Sequence, residues 1–257
     1  MNTNILYYRF TGMCNTKCKF CYREYKDYGD DINIVKKNLE IAKELGFDTI
    51  GFLGGEVTLR KDLDEILEFS KSLGFNNYLI TNGYKLIEKF DKLKNNIDYI
   101  GLPLDGFDYD SEFSIRNNDQ FNRTIECIKY IRENSSIPYR LSTMLNSKNY
   151  LYLDKIYDFI FNTLNVAPDT WRLLPYLNLN NDEINLSLTD SMLNEVTIFI
   201  KNAKYKISIS NSQYYILSKN SKLYLSNNEK LILLGKFDSN CNINDLNNSS
   251  WIHEALL

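Results

Sequence analysis

Three cysteines lie within eight residues near the start of the chain, at Cys14, Cys18 and Cys21. Thiolates are soft ligands that suit iron–sulfur clusters and zinc, and three of them on one short loop can surround one metal centre. A structural zinc site needs four protein ligands, and the two other cysteines and the single histidine do not stand at a zinc-finger spacing. The loop therefore favours an iron–sulfur cluster with one iron open to a small molecule, and structural zinc is the alternative.

Glycines, carboxylates, an amide and a guanidinium recur after the apolar runs that follow the cysteine loop. Two adjacent glycines let the backbone approach a partner closely, and a carboxylate can accept hydrogen bonds from a bound ammonium. An arginine can pair with a bound carboxylate. These positions are Gly54, Gly55, Glu56, Asn82, Asp105 and Arg116.

Short β-branched or aromatic runs alternate with longer segments of helical period along the first two thirds of the chain. This alternation is typical of repeated β-α units around a parallel sheet, whose ligand-binding loops follow the carboxyl ends of the strands. The loop after the fourth strand is predicted over 103–118. Strands are predicted at 5–10, 48–53, 77–81, 97–102, 138–145 and 170–176, and helices at 33–46, 62–74, 84–94, 119–134 and 151–164.

The pattern changes after the sixth predicted strand. A polar loop at 178–185 leads to a predicted helix at 189–203 and then to short strand-like runs at 205–209, 213–217, 222–225 and 231–234. We therefore divide the chain into a core, residues 1–180, and a small C-terminal α+β extension with a β-hairpin, residues 181–257.

Composition narrows the possible partners. The chain has 257 residues, of which 44% are hydrophobic and 25% charged, as in a folded globular protein. Its 30 basic and 33 acidic residues form no long block of one sign, so a nucleic-acid partner is not indicated.

The longest apolar runs, such as 231–234, fall far short of the ~20 residues that span a bilayer. With no signal sequence and closely spaced thiols, we expect a cytoplasmic protein without membrane contact.

The spacing Cys-x3-Cys-x-Phe-Cys resembles the signature of the radical S-adenosylmethionine (SAM) superfamily. This resemblance implies that Cys14, Cys18 and Cys21 hold a [4Fe–4S] cluster, that the open iron chelates SAM, and that Phe20 lies beside the adenine. It also implies a partial (βα)6 barrel that is open on one side. Reductive cleavage of SAM would release a 5′-deoxyadenosyl radical that abstracts hydrogen from a substrate.

The later strand ends carry further parts of the resemblance. Gly-Gly-Glu-Val at 54–57 is similar to the family's Gly-Gly-Glu-Pro, and Thr-Asn-Gly at 81–83 matches a common strand end. Pro-Leu-Asp-Gly at 103–106, followed by an arginine, is similar to Ser-Leu-Asp-Gly, with proline in place of serine. The resemblance implies cofactor binding by Phe20, Gly54, Gly55, Glu56, Asn82, Asp105 and Arg116, and more loosely by Ser142, Asn149 and Arg172.

Three functions are compatible with these residues. The tail resembles that of peptide-modifying members but lacks their additional cysteine ligands, which favours one cluster and a ribosomally synthesised peptide as substrate. A viperin-like enzyme acting on a nucleotide or other small molecule is the alternative, although Tyr22-Arg23 stands where viperins have Phe-His. A non-enzymatic iron–sulfur or zinc module is the third.

The family implies flavodoxin or ferredoxin as electron donor. Candidate hydrogen donors to the substrate are Tyr22, Asp110, Glu112 and Cys127.

Overall fold

The computed structural model describes most of the predicted core and parts of the tail. The described residues are 5–18, 20–21, 29–116, 119–164, 167–176, 186–209, 214–218, 222–226 and 231–237. The predicted domain boundary at residue 180 lies outside them, as do Tyr22-Arg23, Cys241 and His253, so the division into two units stays a prediction.

The strands and helices alternate as the sequence predicts. The strands are β1 Ile5–Thr11, β2 Thr49–Gly54, β3 Asn76–Ile80, β4 Tyr99–Pro103, β5 Tyr139–Leu145, β6 Thr170–Pro175, β7 Ile207–Ile209, β8 Tyr214–Ser218, β9 Lys222–Ser226 and β10 Leu231–Lys236. The helices are α1 Ile32–Glu44, α2 Leu63–Ser72, α3 Leu86–Leu93, α4 Tyr109–Arg116, α5 Gln120–Asn134, α6 Leu153–Asp158, which continues as a π-helical turn over Phe159–Thr163, and α7 Asp190–Asn202. None of the helices in these ranges combines the length and the apolar run that crossing a lipid bilayer requires.

All ten strands belong to one sheet, in the order β10-β9-β8-β1-β2-β3-β4-β5-β6-β7. Strands β1 to β7 are parallel, and β8 also runs parallel to β1, whereas β9 and β10 continue antiparallel from β8. In the described part of the chain β7 and β10 do not pair with each other, so the sheet is open. This arrangement confirms the partial barrel, and it places the strands of the tail on both edges of the same sheet.

The sheet has two chemically different faces, because successive side chains of a strand point to opposite sides. The outer face packs on the helices with fully buried side chains such as Phe52, Leu79, Leu141 and Trp171. Tyr7 and Tyr78 form a separate cluster on the inner face. The inner face is thus free to carry the polar side chains of a binding site.

Helix α4 is absent from the sequence prediction, which has a loop over 103–118. Asp108 begins the helix, since the Ser111 backbone N–H donates to Asp108 Oδ1 at 2.8 Å. Side-chain caps of this kind satisfy the free N–H groups of a helix end. The helix places Glu112 and Arg116 one turn apart on the same face, and the two side chains form an ion pair at 3.1 Å. A short capped helix therefore replaces the expected loop and aims both charges at Asp105.

Candidate functional site

The cysteine loop is held against the end of β2 by backbone hydrogen bonds. The Gly55 N–H donates to the Thr11 carbonyl at 2.7 Å, and the Glu56 N–H donates to the Met13 carbonyl at 2.6 Å. A side chain at Gly54 would clash with the Thr11 carbonyl, and one at Gly55 would clash with that of Met13. The two glycines therefore allow the end of β2 to lie close to the loop that carries the cysteines.

Two of the three sulfurs share a neighbour and face N–H donors. Thr16 Oγ1 lies 3.2 Å from Cys14 Sγ and 3.7 Å from Cys18 Sγ. Asn82 Nδ2 donates to Cys14 Sγ at 3.8 Å, and Arg116 Nη1 donates to Cys18 Sγ at 3.7 Å. The Cys14 and Cys18 sulfurs thus each lie within hydrogen-bond distance of a side-chain nitrogen donor.

The donor chemistry of the loop fits an iron–sulfur cluster. Cys14, Cys18 and Cys21 form no disulfide bond within the described residues, and the Cys21 N–H donates to the Cys18 carbonyl at 3.1 Å in a tight turn. Among the described residues no three Cys, His, Asp or Glu side chains converge in metal-ligand geometry. Three soft thiols on one loop, two of them beside N–H donors, nevertheless form the ligand type that such a cluster takes.

Glu56 is fully buried and joins the ends of β2 and β3. Its Oε1 accepts hydrogen bonds from the Thr58 N–H at 3.0 Å and from the hydroxyls of Thr58 and Thr81, both at 2.5 Å. Its Oε2 accepts from the Asn82 N–H at 2.6 Å. One carboxylate oxygen is thus occupied by three protein donors. These donors fix the Glu56 side chain between the two strand ends.

A buried cluster of charges lies behind the cysteine loop. Arg116 Nε is 2.6 Å from Asp105 Oδ2 and 3.1 Å from Glu112 Oε1, and both carboxylate side chains are fully buried. Asp105 Oδ1 accepts from the Met144 N–H at 2.6 Å. The Arg116 guanidinium also lies over the Phe20 ring, 5.0 Å from its centroid. The guanidinium is therefore fixed between two carboxylates, one cysteine and the aromatic residue of the signature.

Glu112, one of the candidate hydrogen donors, also holds the backbone of a neighbouring turn. Its Oε2 accepts from the backbone N–H groups of Asp105, at 2.5 Å, and Gly106, at 2.6 Å, so it fixes the turn after β4. The spacing of four residues between Glu112 and Arg116 is the sequence signal for their ion pair, because one helix face brings residues at this spacing together.

The titration of Glu112 should make the stability of the protein depend on pH. Burial and then the charge of Asp105 raise the pKa of Glu112 from its usual 4.5 to about 7. Between these values the native state binds more protons than the unfolded chain, so the free energy of unfolding should fall as pH rises through the window. Glu112→Gln, which cannot titrate, should show a weaker decline in denaturant unfolding at about pH 5 and about pH 7. An equal decline in both proteins would contradict this assignment.

A cavity of about 300 Å³ opens at the carboxyl ends of the parallel strands. It extends from the Phe20 ring and Arg116 to the inner faces of β5 and β6. Most of the predicted cofactor residues lie in its wall, namely Phe20, Gly54, Gly55, Asn82, Arg116, Ser142 and Arg172.

Three predicted cofactor residues are fully buried or nearly so and lie outside the wall of this cavity: Glu56, Asp105 and Asn149. Asn149 Nδ2 donates to the carbonyls of Asp105 at 3.2 Å and Met144 at 3.0 Å, so it joins the loops after β4 and β5. The structure thus places these three residues where they can position the wall, which fits a supporting role better than direct ligand contact.

Comparison with protein families and curated proteins agrees with the geometry of the cysteine loop and the strand ends. A family model described as the radical SAM superfamily matches residues 8–160. A protein named as a probable GTP 3′,8-cyclase from Saccharolobus solfataricus is 33% identical over 145 residues, which cover 54% of this chain and 47% of that protein. The chain thus spans about half the length of this relative.

Two solved structures share the fold at low sequence identity. Streptococcus suis SuiB bound to precursor peptide SuiA is 18% identical, with a TM-score of 0.69 over 86% of this chain and 58% of that one. The enzyme anSMEcpe with bound AdoMet and a peptide is 17% identical, with a TM-score of 0.74 over 98% of this chain and 82% of that one. These likenesses establish the fold alone.

Proposed function

Because the chain belongs to the radical SAM superfamily and is an enzyme with a [4Fe–4S] cluster and SAM as cofactors, we propose that it modifies a ribosomally synthesised peptide. The observation that carries the proposal is the three-thiol loop, which lies beside a cavity at the carboxyl ends of an open parallel sheet. An open sheet edge gives a large substrate access to this cavity, which a closed barrel would restrict.

When bound, the reduced cluster would supply the one electron that cleaves SAM into methionine and a 5′-deoxyadenosyl radical, and this radical would take a hydrogen atom from the substrate. We assign the cluster to Cys14, Cys18 and Cys21. Arg116 fixes the position of Cys18 through its N–H donor and carries a positive charge to the cavity wall for a carboxylate. Phe20 offers a flat apolar surface to an adenine ring. The buried strand ends around Glu56 and Asp105 hold these groups in place.

Peptide modification draws support from the bound peptides in the structures of the two structural neighbours, SuiB and anSMEcpe. A nucleotide is the second candidate. It is favoured by the named activity of the curated relative and by the three arginines in the cavity wall, Arg116, Arg140 and Arg172. We expect a single cluster, a reducing cytoplasmic location, and a flavodoxin or ferredoxin as electron donor, because such clusters work at low potential.

The substrate class can be tested by the rate of 5′-deoxyadenosine formation. The protein, with its cluster reconstituted anaerobically, is incubated with SAM and dithionite, and with a small peptide encoded beside its gene, with GTP or with neither. The proposal predicts that the peptide increases the rate and that its own mass changes. Stimulation by GTP alone would replace the peptide with the second candidate, and a lack of stimulation by either would contradict both.

A further inference from the structure

The deep half of the cavity is built from aromatic and basic side chains on the inner face of the sheet. Tyr7 of β1, Arg140 of β5 and Arg172 of β6 line it, and the Tyr78 ring of β3 packs against Arg140. Two glycines make room for the tyrosines. A side chain at Gly51 would clash with the Tyr7 ring, and one at Gly101 would overlap the Tyr78 hydroxyl. The glycines on the neighbouring strands thus leave space for the two tyrosine side chains on the inner face of the sheet.

Two buried hydrogen-bond donors lie next to this half of the cavity. The Arg140 guanidinium lies over the Tyr78 ring, 4.7 Å from its centroid, yet its buried Nε has no hydrogen-bond partner among the described residues. Within the same part of the chain the buried Tyr78 hydroxyl has no partner either. Arg172 Nη1 donates to the Tyr7 hydroxyl at 3.3 Å. Buried polar groups are normally satisfied, so two such donors next to a cavity wall point to a ligand that accepts hydrogen bonds there.

The charged side chains in this half of the cavity are positive. Arginine is the only charged residue type among the described residues of the cavity wall, so no carboxylate there offsets it. Arg140 takes part in no ion pair among the described residues. Burial raises the pKa of Tyr78, so its hydroxyl stays protonated and can donate. A guanidinium in a desolvated position attracts an oxyanion more strongly than one in water does.

We propose that Arg140 and Arg172, with the hydroxyls of Tyr7 and Tyr78, bind an oxyanion of the substrate, a carboxylate or a phosphate, at the inner end of the cavity. The proposal rests on the proposed function, because it places the substrate in the same cavity as SAM. The forked N–H groups of arginine match the oxygens of both anions. It also assigns Arg172 to the substrate instead of the cofactor.

Binding of simple anions tests this assignment without turnover. Inorganic tripolyphosphate and glutarate are titrated calorimetrically into the cluster-loaded protein, in the presence of SAM. Arg140→Gln and Arg172→Gln should each weaken binding of the preferred anion about tenfold or more, since hydrogen bonds to charged groups are lost. Arg132→Gln, at an exposed arginine of α5, is the matched control and should bind as the wild type does. Tighter binding of tripolyphosphate than of glutarate would identify a phosphate as the source, and the reverse order a carboxylate.

The outcomes separate this inference from the proposed function. The SAM affinity of both variants should fall less than their anion affinity, and an equal fall would assign the arginines to the cofactor and overturn the inference. Anion binding that is undetectable in the wild type, or unchanged in both variants, would also overturn it. Arg140→Lys, which keeps the charge, should retain more affinity than Arg140→Gln and covers the case in which the glutamine variant does not fold. A wild-type protein that binds the anion but does not cleave SAM would contradict the proposed function alone.

Discussion

Cys18→Ala should lower the iron content from about four atoms per chain to background and abolish 5′-deoxyadenosine formation. Cys18 is buried at the centre of the loop, and its sulfur lies 3.7 Å from both Thr16 Oγ1 and Arg116 Nη1. Without this sulfur two thiols remain in the loop, and two ligands do not hold a cluster that relies on three. Iron analysis and chromatography after anaerobic reconstitution measure both effects.

Cys127→Ala is the matched control for this loss. Cys127 lies in the hydrophobic core on α5, its thiol donates to the Gly83 carbonyl at 3.5 Å, and burial raises its pKa to about 12. A buried thiol of this kind does not ligate metal readily. The variant should keep the wild-type iron content. Iron retained by Cys18→Ala, or lost from Cys127→Ala while that variant stays folded, would contradict the assignment of the cluster to the loop.

Glu56→Ala should destabilise the protein by about 3 kcal/mol and weaken SAM binding more than iron binding. The change leaves two backbone N–H groups and two hydroxyls without their buried acceptor. It also frees Asn82, whose side chain donates to Asn15 Oδ1 at 2.9 Å in the cysteine loop. Denaturant unfolding measures the first effect, and titration of the reconstituted protein with SAM measures the second.

Glu65→Ala is the control that shows whether the loss of another glutamate has the same effects as the loss of Glu56. Glu65 lies on α2 with 57% of its side chain exposed, and it pairs with Lys36 at 2.6 Å. Exposed pairs contribute little, so the free energy of unfolding should change by less than about 1 kcal/mol. SAM affinity should match that of the wild type. Wild-type SAM binding by folded Glu56→Ala would show that this carboxylate does not support the cofactor site.

The cysteine loop and the six core strands could be predicted because local signals determine them. The three cysteines stand close together in the sequence, and short apolar or β-branched runs mark strands such as β2 and β5. Parallel strands bring their carboxyl ends to one edge, so the sequence order alone places Asn82 beside Cys14.

Features that depend on contacts between distant strands could not be predicted. The pairing of β8 with β1 and of β7 with β6 joins residues about 35 to 210 positions apart, and short strand-like runs do not encode their partners. Helix α4 was missed because its residues have a weak apolar pattern, and the cap at Asp108 sets its start. The contact between Arg140 and Tyr78 depends on the inward face of separate strands, which only the sheet register defines.

We expect this chain to cleave SAM reductively with a cluster held by the cysteine loop. The most direct measurement is an anaerobic incubation of the reconstituted wild-type protein with SAM and dithionite, followed by chromatography for 5′-deoxyadenosine and methionine. Both products should form in equal amounts with the wild-type protein, and neither should form with Cys18→Ala. A folded protein that binds zinc but no iron, and yields neither product, would contradict this expectation.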